Sequence, residues 1–218
     1  MYEKERALLV EYGKKMSSEG LSSGTSGNLS IYDPEKNLVL ITPSGIGYFD
    51  TKPEDIVVMT LDGEIVEGDR KPSSEWHLHT LFYKKKPEAR GVVHTHSVFC
   101  TTLAALRMPI QAAHYVIADA GVAEVPCAPY RRFGTEELAS VAMDSIGESN
   151  AVLLANHGIV VCGKDLKSAY GLAKGMEYCA EVQWRAMSVG KPVILSDEEM
   201  DAVLEGFKTY GQPKKEQK

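Results

Sequence analysis

The chain has 218 residues, 44% of them hydrophobic and 25% charged, which is enough to bury a sizeable core and favours one large domain. Its net charge of -6 argues against nucleic acid or an anionic membrane as the main partner, because both attract a concentrated basic surface. The charged start of the sequence and the lack of an apolar run near the roughly 18 residues of a membrane helix predict a soluble, cytoplasmic protein.

The first half of the chain alternates between helical and strand patterns. In chain order, the patterns predict a helix over 3–19, strands over 29–32 and 38–42, strands over 56–61 and 64–67, a helix over 73–86, a strand over 90–95 and a helix over 98–106. Asp62-Gly63 joins the second pair of strands, and its tolerance of positive φ predicts a tight hairpin turn.

The second half continues this alternation. The patterns predict a strand over 122–127, a helix over 136–146, strands over 152–155 and 158–162, a long helix over 165–188 and a last helix over 197–207. Strands in adjacent, hairpin-like pairs with helices between the groups predict an α/β fold, in which a mainly antiparallel sheet is flanked by helices. Residues 1–211 are expected to form this single domain, and the polar tail 212–218 is expected to be disordered.

Two histidines close the apolar strand at residues 91–93. His94 and His96 are two residues apart, and strand side chains two apart point to the same face, so both imidazoles are predicted to face one site. An H-x-H pair alone is a weak metal signal, because a buried histidine is more often a satisfied core residue. Further ligands are needed.

His157 and Glu75 are the candidates for the remaining positions. His157 stands where an apolar strand gives way to Gly158, and strand ends commonly present functional side chains, although a plain turn histidine is the alternative. Glu75, at the start of a predicted helix, could bind the same metal, act beside it as general acid/base, or only complement the helix dipole. Three imidazoles and a carboxylate suit zinc or another borderline divalent ion.

Three segments of small residues offer hydroxyl and backbone N–H groups to an anion. They are residues 24–28 (GTSGN), 42–45 (TPSG) and 72–74 (PSS), and the last lies at a predicted helix N-terminus, where unpaired donors favour negative charge. Each alone is more often a turn or cap, and GTSGN is not a Walker loop, because no G-K-[ST] follows. Together they predict a phosphate site without a lysine.

Eight separated motifs together resemble the class II aldolases in order and spacing, over residues 5–211. The motifs are GTSGN, ITPSG, KPSSEWHLH, VVHTHS, HYVIADAG, APYRRFGT, LLANHG and LSDEEMDAVLEGFKTYG. The resemblance implies a small sugar-phosphate substrate and a homotetramer with active sites between subunits. It also implies one divalent metal ion per subunit, zinc in the first place, with manganese or cobalt as alternatives.

The resemblance assigns roles by position. His94, His96 and His157 match the metal-binding histidines, and Glu75 matches the carboxylate that binds the metal in the resting enzyme and becomes the acid/base once substrate is present. The phosphate-binding positions of the family are matched by Gly27, Asn28, Ser44, Gly45, Ser73 and Ser74. Packing or hydrogen bonding is expected of the other three histidines, His77, His79 and His114.

Two tyrosines match positions outside the metal centre. Tyr115 resembles the tyrosine that reaches a neighbouring subunit's active site and exchanges a proton with the substrate hydroxyl. Tyr210 resembles the tyrosine of a mobile tail that shapes the aldehyde pocket. Both are therefore expected to act in catalysis.

The implied reaction is cleavage of a ketose 1-phosphate, such as L-fuculose 1-phosphate or 5-deoxyribulose 1-phosphate, to dihydroxyacetone phosphate and an aldehyde through a metal-stabilised enediolate. One alternative is an L-ribulose-5-phosphate 4-epimerase, for which Asp119 is a candidate acid/base. Another is a non-catalytic, adducin-like metal-binding domain, although such relatives lack the metal histidines. The sequence leaves open which ketose is cleaved and whether Arg131, Arg132 or Phe133 contacts it.

Overall fold

Six α-helices, two short 3-10 helices and ten strands lie within residues 1–209, the part of the chain that the computed structural model describes. The helices are α1 (Glu3–Ser18), α2 (Trp76–Lys85), α3 (Val98–Ala105), α4 (Glu136–Ile146), α5 (Leu166–Val189) and α6 (Asp197–Thr209). The strands are β1 (Asn28–Asp33), β2 (Leu38–Ile41), β3 (Val57–Thr60), β4 (Ile65–Glu67), β5 (Gly91–Thr95), β6 (Ile110–Gln111), β7 (Glu124–Val125), β8 (Cys127–Ala128), β9 (Ala151–Leu154) and β10 (Gly158–Gly163). Tyr210 and the predicted tail lie outside the described residues.

Eight of the strands form one sheet in the order β4-β3-β2-β1-β5-β10-β9-β8. Every neighbouring pair in it is antiparallel except β8 and β9, which run parallel. The predicted α/β fold with a mainly antiparallel sheet is confirmed. The strands β1 and β5 lie next to each other in the middle of the sheet, and their pairing places Asn28 opposite His94.

Helices cover both faces of the sheet. Val93 and Val161 point into the core shared with α1, α3 and α5, whereas their neighbours Val92 and Val160 point into the core shared with α2 and α4. Because successive strand side chains alternate between faces, a sheet buried on both sides needs apolar residues at every position. This requirement explains the continuous apolar runs of the sequence.

The predicted elements agree with the structure apart from a few boundaries. The hairpin at Asp62-Gly63 is present as β3 and β4, with one register irregularity. Helix α2 begins at Trp76 rather than at Ser73, because Ser73 is still in extended pairing: its N–H donates to the Thr42 carbonyl at 3.0 Å. The strand predicted over 122–127 is two short strands on either side of Pro126, because β7 pairs with β6 in a separate two-stranded sheet whereas β8 pairs with β9 in the main sheet.

Candidate active site

The predicted site residues converge on one cavity of about 350 Å³ at the end of the central strands. Among the residues described, those that line it include Gly27, Asn28, Ser44, Gly45, Ser73, Ser74, Glu75, His94, His96 and His157. Of the predicted set, Tyr115 does not line it and Tyr210 lies outside the described residues. The candidate metal ligands and the candidate anion segments thus share one space.

The three imidazoles meet at their Nε2 atoms. His94 Nε2 lies 3.0 Å from His96 Nε2 and 3.2 Å from His157 Nε2. The rings stand nearly perpendicular to one another, with interplanar angles of 73° to 77°. Within residues 1–209 this is the group of histidine, cysteine or acidic side chains whose ligand atoms cluster closely enough for one metal ion.

A bound cation accounts for the close approach of the three Nε2 atoms better than hydrogen bonding does. His94 Nδ1 lies 2.9 Å from the Ile159 carbonyl oxygen, which can only accept, so the proton is on Nδ1 and Nε2 has a lone pair. One lone pair accepts from only one of its two Nε2 neighbours, whereas an ion coordinates all three. Tetrahedral zinc with Zn–N bonds of about 2.05 Å spaces its nitrogens about 3.3 Å apart, close to the observed separations.

Burial keeps these rings neutral, which is the form that binds metal. It lowers the pKa of His94 well below its ordinary value, and the neighbouring imidazoles lower it further. Burial also lowers the pKa of His96, and it brings the pKa of His157 to about 4. The site therefore holds unprotonated ligand nitrogens at neutral pH.

The turn between β9 and β10 brings His157 to the other two histidines. Asn156 adopts a φ of 56°, a left-handed conformation that asparagine tolerates, and the His157 N–H closes the turn on the Leu154 carbonyl at 3.0 Å. The next residue, Gly158, packs so closely on β5 that a Cβ there would overlap the Thr95 carbonyl oxygen. Only glycine permits this approach of the two strands.

Glu75 lies in the same cavity and is 4% exposed. Its Oε1 accepts a hydrogen bond from the Gly134 N–H at 2.8 Å, and its Oε2 is buried with no hydrogen-bond partner within the described part of the chain. Burial raises the pKa of Glu75 to about 7, although the Gly134 N–H opposes the change. A buried oxygen without a partner is expensive, and its presence here points to a ligand or proton that the cavity receives.

The small-residue segments are connected to one another by backbone hydrogen bonds. The Thr42 N–H donates to the Leu29 carbonyl, and the Ser44 and Ser73 N–H groups donate to the carbonyls of Lys71 and Thr42, each at 3.0 Å. These N–H groups are therefore not available to an anion.

The donors that remain include those of Gly27, Gly45 and Ser74. Within residues 1–209 their N–H groups have no protein acceptor, and all three residues line the cavity. Arg131 is the only lysine or arginine lining the cavity within the described chain.

The sequence left open whether some residues near the site contact the substrate, and it did not indicate others. Arg131 and Phe133 line the cavity, whereas Arg132 does not line it within the described structure. Tyr130 also lines it and is 52% exposed, and no sequence pattern indicated this residue. These residues form a loop directly before Gly134, the donor to Glu75.

Two further candidates lie elsewhere. Tyr115 begins a 3-10 helix, Tyr115–Ala120, and is 50% exposed, stacked on His114 with its ring 6.3 Å from that of Phe207. Asp119 lies on the same 3-10 helix and lines a different cavity. Neither therefore meets the histidines within one chain.

None of the helices in residues 1–209 combines the length and the apolarity that crossing a membrane requires.

Comparison with known proteins places this site in context. The family model described as class II aldolase and adducin N-terminal domain matches residues 7–184. A 5-deoxy-D-ribulose 1-phosphate aldolase of Bacillus thuringiensis serovar kurstaki is 45% identical over 97% of this chain and 99% of its own. An L-fuculose phosphate aldolase of Haemophilus influenzae is 42% identical, over 93% of each chain. A solved L-fuculose 1-phosphate aldolase has a TM-score of 0.91 and 45% identity, over 94% of this chain and 96% of that one.

Proposed function

The chain belongs to the class II aldolase family, and from this premise we propose that it cleaves a ketose 1-phosphate to dihydroxyacetone phosphate and a short aldehyde. The relatives named above are aldolases, in agreement with the sequence prediction and not with the epimerase or adducin-like alternatives. The observation that carries the proposal is the meeting of three Nε2 atoms beside the unpartnered oxygen of Glu75 in a cavity lined by serine and glycine.

The proposed metal ligands are His94, His96 and His157, with Glu75 as the fourth ligand of the resting enzyme. Three imidazole nitrogens and a carboxylate favour zinc over hard cations such as magnesium. A divalent ion held here supplies Lewis acidity, which polarises substrate oxygens and stabilises the negative charge that develops as the carbon–carbon bond breaks. No lysine lines the cavity within residues 1–209, so a Schiff-base route has no support.

Glu75 is the proposed acid/base of the reaction. Burial raises the pKa of Glu75 to about 7 in the metal-free chain, and once substrate displaces the carboxylate from the metal, Oε2 is able both to accept and to return a proton. The Gly134 N–H holds the other oxygen, which fixes the orientation of the carboxyl group. The substrate hydroxyl that becomes the aldehyde oxygen loses its proton with the assistance of Tyr115 from a neighbouring subunit, and the carbon–carbon bond breaks. Glu75 then delivers the proton it holds to the carbon that the departing aldehyde leaves.

The substrate phosphate is held by neutral hydrogen-bond donors near one positively charged side chain, that of Arg131. Gly45 and Ser74 offer free N–H groups, and Ser44 and Ser74 offer hydroxyls at the same wall of the cavity. Arg131 adds positive charge on the same loop as Gly134, whose N–H donates to Glu75. Such donors bind an anion without a lysine, because several N–H dipoles aimed at one point act as a local positive charge.

A methyl-ended aldehyde suits the outer part of the cavity. Both relatives are named for deoxy sugars, whose aldehyde portion ends in a methyl group. Tyr130 and Phe133 present exposed aromatic rings there. We therefore expect deoxy ketose phosphates to be cleaved faster than ribulose 1-phosphate, by about tenfold, because the additional hydroxyl of ribulose would lose its water against these rings.

The proposed active enzyme is a homotetramer in the cytoplasm. Tyr115 is exposed and away from its own chain's cavity, which supports a role at the cavity of a neighbouring subunit. Tyr210 is proposed to act on the aldehyde there as well. The four cysteines of the chain are free thiols, as expected in a reducing compartment.

The test is the rate of dihydroxyacetone phosphate release from L-fuculose 1-phosphate, 5-deoxyribulose 1-phosphate and ribulose 1-phosphate, with and without a chelator. We expect release that the chelator abolishes and that added divalent metal restores. Turnover insensitive to chelator would overturn the metal assignment. Interconversion of pentulose 5-phosphates without release of a triose phosphate would overturn the aldolase assignment in favour of an epimerase.

A further inference from the structure

A chain of four polar side chains runs through the protein beneath the cavity. Tyr83 OH lies 2.6 Å from Ser30 Oγ, Ser30 Oγ lies 2.6 Å from His79 Nδ1, and His79 Nε2 lies 2.6 Å from Asn28 Oδ1. His79 and Ser30 are completely buried, and Asn28 alone among the four lines the cavity. Four apolar side chains would fill this space without the cost of desolvating polar groups. A buried row of hydrogen-bonded polar side chains therefore suggests a function.

The direction of each hydrogen bond between these four side chains follows from the chemistry of His79 and Asn28. The buried ring of His79 is neutral, with its pKa lowered by burial to about 3, so it carries one proton. The Asn28 oxygen only accepts, so that proton is on His79 Nε2, and Nδ1 must accept from the Ser30 hydroxyl. The Ser30 oxygen is then free to accept from the Tyr83 hydroxyl. Every donor points toward Asn28.

The consequence is a fixed orientation for the Asn28 carboxamide. Its oxygen is held by His79, so its NH2 group is the part left for the cavity. An unrestrained carboxamide can rotate and present either end, and its oxygen would repel an anion. The residue also stands opposite His94 in the β1–β5 pairing, next to the metal centre.

We propose that His79 is a positioning residue, which holds the Asn28 NH2 group toward the cavity, where it donates a hydrogen bond to the substrate phosphate. This inference rests on the proposed function, in which the cavity binds a phosphate. It gives a role to a histidine that neither binds the metal nor contacts the substrate. It also explains why the polar chain begins at Tyr83, deep in the protein, and ends at the cavity.

Two amide variants of His79 separate positioning from simple structural support. In His79→Gln the side-chain amide nitrogen falls near the position of Nε2 and is able to donate to Asn28. In His79→Asn the shorter amide reaches the position of Nδ1 and the contact to Asn28 is lost. Each variant thus keeps one of the two contacts, His79→Gln the contact to Asn28 and His79→Asn the contact to Ser30, so His79→Gln is the matched control for His79→Asn.

The measurements are KM and kcat for 5-deoxyribulose 1-phosphate, the inhibition constant of inorganic phosphate, and the bound metal. For His79→Asn we expect KM and the phosphate inhibition constant to rise about tenfold, with little change in kcat or in metal content. His79→Gln should stay within about threefold of the wild type. Asn28→Ala should match His79→Asn, and the double variant should be no worse than either, because the two act as one unit.

The failures of the two ideas are distinguishable. Wild-type phosphate inhibition in His79→Asn together with impaired inhibition in Asn28→Ala would overturn the positioning role and leave the phosphate site in place. Unchanged inhibition in Asn28→Ala would overturn the phosphate assignment of Asn28 and the inference with it. A neutron structure of the wild type needs no variant: a proton on His79 Nε2 is expected, and a proton on Nδ1 would refute the proposed order.

Discussion

Replacing Glu75 with glutamine removes a buried titratable group from the cavity and leaves the imidazoles unchanged. The carboxyl group has one oxygen bonded to the Gly134 N–H and one without a partner, and burial raises its pKa from the ordinary 4.5 to about 7. Glutamine has nearly the same shape and keeps an oxygen for Gly134, but it cannot ionise. The variant therefore isolates the cost of the charge.

The sign of the effect follows from the raised pKa. In the metal-free protein, Glu75 is protonated in both the folded and the unfolded chain below pH 4.5, so burial of the carboxyl group has no charge cost there. As pH rises toward 7, the unfolded chain ionises first, and the folded state loses stability relative to it. Above that range the whole penalty is present, since the buried group is charged as well.

The separation of the two pKa values sets the magnitude. Each pH unit between them corresponds to about 1.4 kcal/mol, which gives a full penalty of about 3 kcal/mol. Between about pH 5 and about pH 8, the metal-free Glu75→Gln variant should thus gain roughly 2 kcal/mol of unfolding free energy relative to the wild type. The pH dependence of the difference, rather than its absolute value, is the quantity predicted.

Urea unfolding of both metal-free proteins across this pH range measures the difference. Glu148→Gln, at an exposed position after α4, is the matched control, and its difference from the wild type should vary by less than about 0.5 kcal/mol. A difference between Glu75→Gln and the wild type that does not change with pH would show that the buried carboxyl group carries no such cost. The reasoning about its proton would then be wrong.

Other perturbations test the surroundings of the site. With metal bound, Glu75→Gln should lose retro-aldol turnover by at least about a hundredfold while retaining its metal by elemental analysis, because the proton donor is gone. Gly158→Ala should weaken metal binding, measured by chelator competition, since the added methyl overlaps the Thr95 carbonyl. Glu177→Ala should cost about 2 kcal/mol in urea unfolding, because Glu177 accepts from two N–H groups at the start of α3 at 2.8 and 2.9 Å. Asp165→Ala, which removes the cap of α5, should cost about 1 kcal/mol and leave metal affinity unchanged.

The sequence predicted the fold well where local patterns decide it. Helix α4 was predicted with its observed ends, because Thr135 caps it and Gly147 follows it. The start of α2 was predicted too early, since the extended pairing of Ser73 with Thr42 depends on a strand far away in the sequence. The parallel placement of β8 beside β9 was not foreseen either, because two-residue strands carry almost no periodic signal.

For the site, the sequence indicated which residues to bring together but not how they contact one another. Strand alternation predicted that His94 and His96 share a face, and their Nε2 atoms do meet. No local pattern indicated that the Gly134 N–H would hold Glu75, or that His79 would contact Asn28, since each contact joins segments about fifty or more residues apart. Hydrogen bonding was expected of His79, but its partners required the packed structure.

The central claim is that three imidazoles hold one divalent ion, and metal content tests it most directly. Elemental analysis should find one divalent ion per chain in the wild type and in His77→Ala, a histidine outside the cavity. The ion should be lost in His96→Ala, since a ligand has been removed. Unchanged metal content in His96→Ala would contradict the account, and so would a wild-type protein that binds no divalent ion at all.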